Sequence, residues 1–114
     1  MDFELIRKYG LEKENVTEGY PFGESVLVFK VSGKIFMLMS MDDDILTINL
    51  KCDPELAIEL RERYESVTPG FHMNKTHWNT VIIDGKIPPK EILNMIDHSY
   101  ELIKKSLPKG KRKG

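Results

Sequence analysis

The chain has a single cysteine, Cys52, among 114 residues, so an internal disulfide is excluded and a reducing compartment suits the thiol. It has no unbroken apolar run near the ~18 residues that a membrane span needs. Its first ten residues, MDFELIRKYG, lack the basic start and apolar stretch of a secretion signal. A cytoplasmic protein that makes no membrane contact is therefore expected. Net charge is also scarce: 17 basic and 18 acidic side chains leave a formal -1, so no global field draws the molecule to a polyanion. No G-x-S-x-G elbow, P-loop or dinucleotide fingerprint is present, and Ser32-Gly33-Lys34 lacks the glycine spacing that cradles phosphate. Repeats and low-complexity linkers are absent too, and the length suits one domain with one core.

What charge there is divides unevenly along the chain. Residues 1–65 contain 14 acidic and 8 basic side chains, a net of -6, whereas residues 66–114 contain 4 and 9, a net of +5. Much of the positive excess lies in a basic tail, residues 109–114, which follows the helix-stopping Pro108 and the domain expected over residues 1–108. Any contact with a polyanion should favour this later part.

Hydrophobic period gives the elements. Asp2 is placed to cap a short helix whose stripe is Phe3, Leu5, Ile6 and Tyr9, with Gly10 suited to its stop. In SVLVFKVSGKIFMLMSM two apolar runs flank Ser32-Gly33, which predicts a hairpin with strands over about 25–31 and 34–41. After the acidic turn Asp42-Asp43-Asp44, ILTINLK alternates. Leu46, Ile48 and Leu50 should face a core, and Ile45, Thr47, Asn49 and Lys51 solvent or a partner. Asp53 and Pro54 open a helix with the stripe Leu56, Ala57, Leu60 and Tyr64. WNTVIID reads as a strand ended by Asp84-Gly85. The last helix places Ile92, Leu93, Ile96, Tyr100, Ile103 and Leu107 on one face, with Lys104 and Lys105 at the negative end of its dipole. Strands joined by short turns and helices with one apolar stripe each define an α+β fold, an antiparallel sheet with helices packed on one face.

Chemistry-bearing residues concentrate in PGFHMNKTHWNT, residues 69–80, which holds two of the three histidines and the only tryptophan. His72 and His77 have the spacing of a zinc pair but no cysteine partners, and the Asp42–Asp44 run lacks the alternation of a calcium loop, so no metal or other cofactor is expected. A Cys52–His77 nucleophile pair is conceivable, because Cys52 precedes a helix N-terminus. Strand alternation instead turns Cys52 to the side of Leu46 and Leu50, as a small buried hydrophobe. His98 could serve to bridge within the fold. Lys30, Lys34, Lys51, Lys75 and Lys86 are spread over strands and turns, and Phe71 and Trp78 offer faces on which a base could stack. For Trp78 the alternative is a core or rim position.

Four stretches, VTEGYPFGESVLVFKVSGKIFMLMS, NLKCDPELAIELRE, TPGFHMNKTHWNTV and MIDHSYELIKKSLPK, together resemble the MmcQ/YjbR family of small bacterial proteins, from about Met1 to Lys109. The resemblance implies a CyaY-like (frataxin-like) fold with the order α-β-β-β-β-α-β-α. It implies DNA binding as well, by paired hairpins likened to a double wing. Carried over by motif, the contact positions are Lys30, Lys34, Lys51, His72, Asn74, Lys75, His77, Trp78 and Asn79. Two departures bear on that: Thr76 stands where a second basic residue is expected, and Asp42–Asp44 put negative charge on a hairpin tip. The expectation is a monomeric, non-enzymatic module that binds single- or double-stranded DNA. The alternatives are a pocket around residues 69–80 for a small anionic metabolite or peptide, or a protein-interaction adaptor.

Overall fold

The computed structural model describes residues 1–108; the basic tail expected over 109–114 lies outside the described residues. The element order is α1 (Phe3–Leu11), β1 (Val16–Gly19), β2 (Val26–Val31), β3 (Lys34–Asp42), β4 (Ile45–Lys51), α2 (Pro54–Arg63), β5 (Val67–Pro69), β6 (Trp78–Ile82) and α3 (Pro89–Ser106). One antiparallel sheet runs β1-β2-β3-β4-β6-β5. This is the expected α+β architecture and order, with the three-residue β5 in addition. Too short for a period to show, β5 is held by pairing Val67, Thr68 and Pro69 with Val81, Thr80 and Asn79.

All three helices pack on one face. Ile6 of α1, Ala57 and Leu60 of α2, and Ile92, Ile96, Tyr100 and Ile103 of α3 share a buried cluster with Leu27, Phe29, Met39, Ile48 and Leu50 of the sheet. The α2 and α3 stripes are those the helical period gives. In α1, Leu5 is 53 % exposed, so the stripe narrows to Phe3, Ile6 and Tyr9. Gly10 does not stop α1; the helix continues to Leu11 and is capped at Glu12. Gly10 is buried, and a Cβ there would stand 2.9 Å from Met37 Cε, so the glycine allows close approach of helix and sheet.

Both hairpins have two-residue loops in the left-handed region: Ser32 and Gly33 at φ 47° and 87°, and Asp43 and Asp44 at 48° and 64°. The nine residues of β3 hold these two tips at opposite ends of the sheet, about 26 Å apart at the strand rise.

A bulge sets the facing of β3. Phe29 pairs with Met37 and Lys30 with Ile35, so Phe36 is an extra residue on β3. Phe36 and Met37 therefore both join the helix-side core, while Ile35 and Leu38 face the other way. Phe36 has no register partner on β2 or β4, and Ser99, fully buried on α3, donates its hydroxyl to the Phe36 carbonyl at 2.6 Å. The same hydroxyl accepts the Lys51 N–H at 2.9 Å, which joins β3, β4 and α3 in one contact. Phe36 also meets the Tyr100 ring edge-on at 5.4 Å.

Removing the Ser99 hydroxyl orphans a buried carbonyl and an N–H, each costing about 1–3 kcal/mol. Ser99→Ala should lower the unfolding free energy by at least that much in urea titrations. A midpoint equal to that of the parent would show that water replaces the hydroxyl.

Candidate functional site

Opposite the helices, the other sheet face carries no helix among the described residues. Alternation assigns it Val26, Val28 and Lys30 from β2, Leu38 and Ser40 from β3, Thr47, Asn49 and Lys51 from β4, and Trp78, Thr80 and Ile82 from β6. The register aligns them into rows across the sheet: Val28–Leu38–Asn49–Thr80–Thr68, and next to it Val26–Ser40–Thr47–Ile82. The outward set of β4, Ile45, Thr47, Asn49 and Lys51, is the one the sequence assigns to solvent or a partner.

The segment from Pro69 to His77 folds against this face, and most of its polar groups hold the segment itself. Asn74 Oδ1 accepts the N–H groups of Thr76 and His77 at 2.9 and 3.2 Å, and its carbonyl accepts Trp78 N–H at 2.9 Å. Lys75 Nζ donates to the Gly70 carbonyl at 3.2 Å, and the Lys75 carbonyl accepts from Arg61 at 3.4 Å. Gly70 is required by proximity, since a Cβ would lie 2.8 Å from Trp78 Cβ. The His77 carbonyl accepts Cys52 N–H at 2.8 Å, which ties the segment to the end of β4. Thr80 Oγ1 donates to Asn49 Oδ1 and accepts Phe71 N–H at 2.9 Å, fixing the Phe71 backbone over the sheet. His72 follows at φ 61°, its ring 4.0 Å from that of Phe71.

The nine contact positions inferred from the sequence are thus dispersed. Lys30 and Lys51 come to one end of the open face, on the same side of the sheet as Trp78, with Lys51 Nζ 5.8 Å from the Trp78 ring centre. Lys34 turns to the helix side, donating to Ser106 Oγ at 2.8 Å. Trp78 is buried, 9 % exposed, in a second small core with Val28 and Leu38 under Met73, so its ring offers no free face for stacking. Asn79 is 2 % exposed on the helix side and donates to the Ala57 carbonyl at 3.3 Å, so it is no surface contact. The alternation W-N-T-V sends these two neighbours to opposite faces, and both faces are covered there. Asn74 and Lys75 serve the loop, whereas His72 and His77 have exposed side chains.

Beside residues 69–80, where the sequence suggests a pocket, these elements enclose a groove whose Phe22 wall and sheet-face floor the sequence did not single out. It has a volume of about 670 Å³ and is lined by Phe22, Val26, Leu38, Asn49, Phe71 and Ile82, with Ser40, Asp42, Thr47, Thr68, His72, Met73 and Thr80 among its further walls. Phe22 and Phe71 are 65 % and 66 % exposed. A phenylalanine in the turn-forming run Tyr20-Pro21-Phe22-Gly23, with no strand to bury it, was the available signal. The opposite hairpin tip, Asp42 to Asp44, lies at the far end of the face from Lys30 and Lys51.

A smaller cavity of about 120 Å³ lies between β4, β6, α2 and α3, lined by Cys52, Asn79, Met95 and His98. Burial, aided by Asp53, pushes the Cys52 thiol up to about 11. The thiol is therefore protonated near neutrality, which disfavours it as a nucleophile. His98 bridges within the fold: its Nε2 accepts Asp53 N–H at 3.1 Å, and burial, aided by Lys105, holds it below the ordinary imidazole range against the pull of Asp53. Among the described residues, no group of three or more His, Cys, Asp or Glu side chains could hold a metal ion, and no helix is long and apolar enough to cross a membrane.

A six-stranded sheet backed by helices on one face, with a grooved open face on the other, defines a small helix-backed α+β domain. The sequence model of the YjbR family matches residues 11–102, and the chain belongs to that family. It is 37 % identical over 110 residues to the uncharacterised YbdF of Escherichia coli O157:H7, covering 96 % of this chain and 90 % of that protein. With the uncharacterised YjbR of Escherichia coli K12 the identity is 38 % over 84 residues, covering 74 % and 71 % of the two chains. Among solved structures, the DUF419 protein DR2400 of Deinococcus radiodurans superposes with a TM-score of 0.90 at 36 % identity, over 96 % of this chain and 84 % of that one. A Pseudomonas syringae protein gives 0.78 at 29 %, over 90 % and 98 %.

Two measurements check the electrostatics. Cys52 should react with iodoacetamide slowly in the native protein, accelerating only as pH approaches 11, and react at the ordinary thiol rate once unfolded. For His98 the unfolded state takes up the proton first, so the stability its neutral ring contributes is present above pH 6.5 and lost as pH falls through the lower folded value. Denaturation midpoints below pH 6.5 should fall less steeply in His98→Gln than in the parent.

Proposed function

We propose that this protein is a non-enzymatic binding module whose open sheet face contacts a nucleic acid, with phosphates met by Lys30 and Lys51. The observation that carries the reading is the segregation of charge on that face. Lys30 and Lys51 stand at one end, and Asp42, Asp43 and Asp44 stand at the other, where Asp42 reaches the wall of the groove. The hairpin bearing the aspartates therefore does not act as a DNA-gripping wing, because its like charge would repel phosphate. The lysine end works by itself. Four of the 17 basic side chains, Lys109, Lys111, Arg112 and Lys113, fall past residue 108; residues 1–108 then hold 13 against 18 acidic, a net of -5. A domain of that sign attracts phosphate only locally, so the contact is short and salt-sensitive.

The pocket alternative changes character on this geometry. Among the described residues no lysine or arginine lines the groove, and Asp42 does, so a small anion is disfavoured there.

Fluorescence anisotropy of labelled oligonucleotides over a low-salt series tests the proposal. Lys30→Gln with Lys51→Gln should weaken binding and flatten the slope of log K against log salt by about 0.7 per lost contact for a single strand, or about 0.9 for a duplex. Absence of binding by the parent at the lowest salt would overturn it.

A further inference from the structure

We propose that the groove beside Lys30 and Lys51 seats unpaired bases, stacked on Phe22 and Phe71, so that the ligand is a single strand rather than a duplex. This rests on the reading of the open face as a nucleic-acid surface and says what the rest of that face does.

Three features of the groove point to bases. Its two exposed aromatic rings come from opposite sides: Phe22 precedes β2, and Phe71 follows β5 at the sheet edge. Both rings are largely exposed, and each offers a stacking face. Stacking on an aromatic side chain is the common mode of holding a single strand, because every base has a π face.

The floor supplies edge recognition without phosphate affinity. Asn49, Thr47 and Ser40 present amide and hydroxyl groups, His72 stands at the Phe71 wall, and among the described residues the only formally charged liner is Asp42. A carboxylate accepts N–H bonds of the kind that bases donate and repels phosphate, so the groove suits the base and excludes the backbone. A free anionic metabolite is disfavoured by the same charge.

The spacing also fits. Along β4, Lys51 lies two residues from Asn49, about 7 Å, and four from Thr47, about 13 Å. Phosphates at the lysine end and bases over the groove are thus adjacent positions of one extended strand. A duplex keeps its base faces stacked on each other and offers none to Phe22 or Phe71.

The loop at Phe71 is built to hold its ring outward. Its N–H is bound by Thr80 Oγ1, itself anchored on Asn49, and Gly70 behind it packs against Trp78.

The test compares a labelled single strand with the duplex of the same sequence on the parent, on Phe22→Ala/Phe71→Ala and on Lys30→Gln/Lys51→Gln, with amide NMR shifts on adding uncharged nucleosides as a separate probe. The expected result is tighter binding of the single strand, a loss of about tenfold per phenylalanine removed, and nucleoside shifts centred on Asn49, Phe71 and Thr80. The lysine variant should weaken both forms of DNA. Both rings are exposed, so unchanged thermal unfolding confirms that their loss leaves the fold intact. Equal affinity for the two forms, indifferent to the phenylalanines but reduced by the lysine variant, would overturn the base-seating groove and leave the lysine contact standing. No binding of either form would remove both. Concentration-dependent dimerisation abolished by Phe22→Ala/Phe71→Ala, without a preference for single strands, would assign the groove to a second copy of the chain and overturn the proposal.

Discussion

The Ser99 hydroxyl joins three elements, β3, β4 and α3, through one buried group. The bulge leaves Phe36, whose carbonyl points to α3, without a register partner, and the end of β4 leaves the Lys51 N–H pointing the same way. Buried together, both groups need a partner, and one serine on α3 supplies an acceptor and a donor. The bulge cannot be dispensed with. It lets Phe36 and Met37 both enter the core while Ile35 and Leu38 remain on the other face. Without it, a one-residue slip would exchange the two faces of β3 and dismantle the groove floor.

The segment between β5 and β6 shows how a polar sequence can be structural. Asn74 closes a turn, Lys75 caps the Gly70 carbonyl, the His77 carbonyl pairs with Cys52, and Trp78 seals a second core. Once these groups are satisfied, the rings of Phe71, His72 and His77 remain outward, the first two at the wall of the groove. The chemistry that made the segment conspicuous goes largely into fixing its shape, and that shape is what it contributes to the open face. Around the other side of the core, Asp97 of α3 accepts from Tyr9 at 2.6 Å and Lys13 at 2.5 Å, so α1 is held to α3 by a polar contact as well as by packing.

Much of the fold was legible in the residues. Alternation in ILTINLK gave both faces of β4, Ser32-Gly33 gave the first hairpin, and Asp53-Pro54 gave the start of α2, because each rests on neighbours in sequence. Gly10 misled, since a glycine near a helix end is ordinarily a stop, and here it lies within the helix, packed against Met37 and Phe29 from distant strands. Of the nine contact positions, only those whose partners are local could be judged. Lys51 belonged to the outward set of β4, whereas the burial of Trp78 and Asn79 depends on Met73, α2 and the second sheet face.

The sequence by itself determined the elements, the α+β class and which side of each strand is apolar, since these follow from period, caps and turn chemistry over a few residues. The family was legible as well, in blocks that span nearly the whole chain. Only the tertiary structure decided that Lys30 and Lys51 share one end while the aspartates occupy the other, and that Phe22 and Phe71 face one groove. Those are properties of strand order and register, and hydrogen bonds between residues far apart in the chain set them.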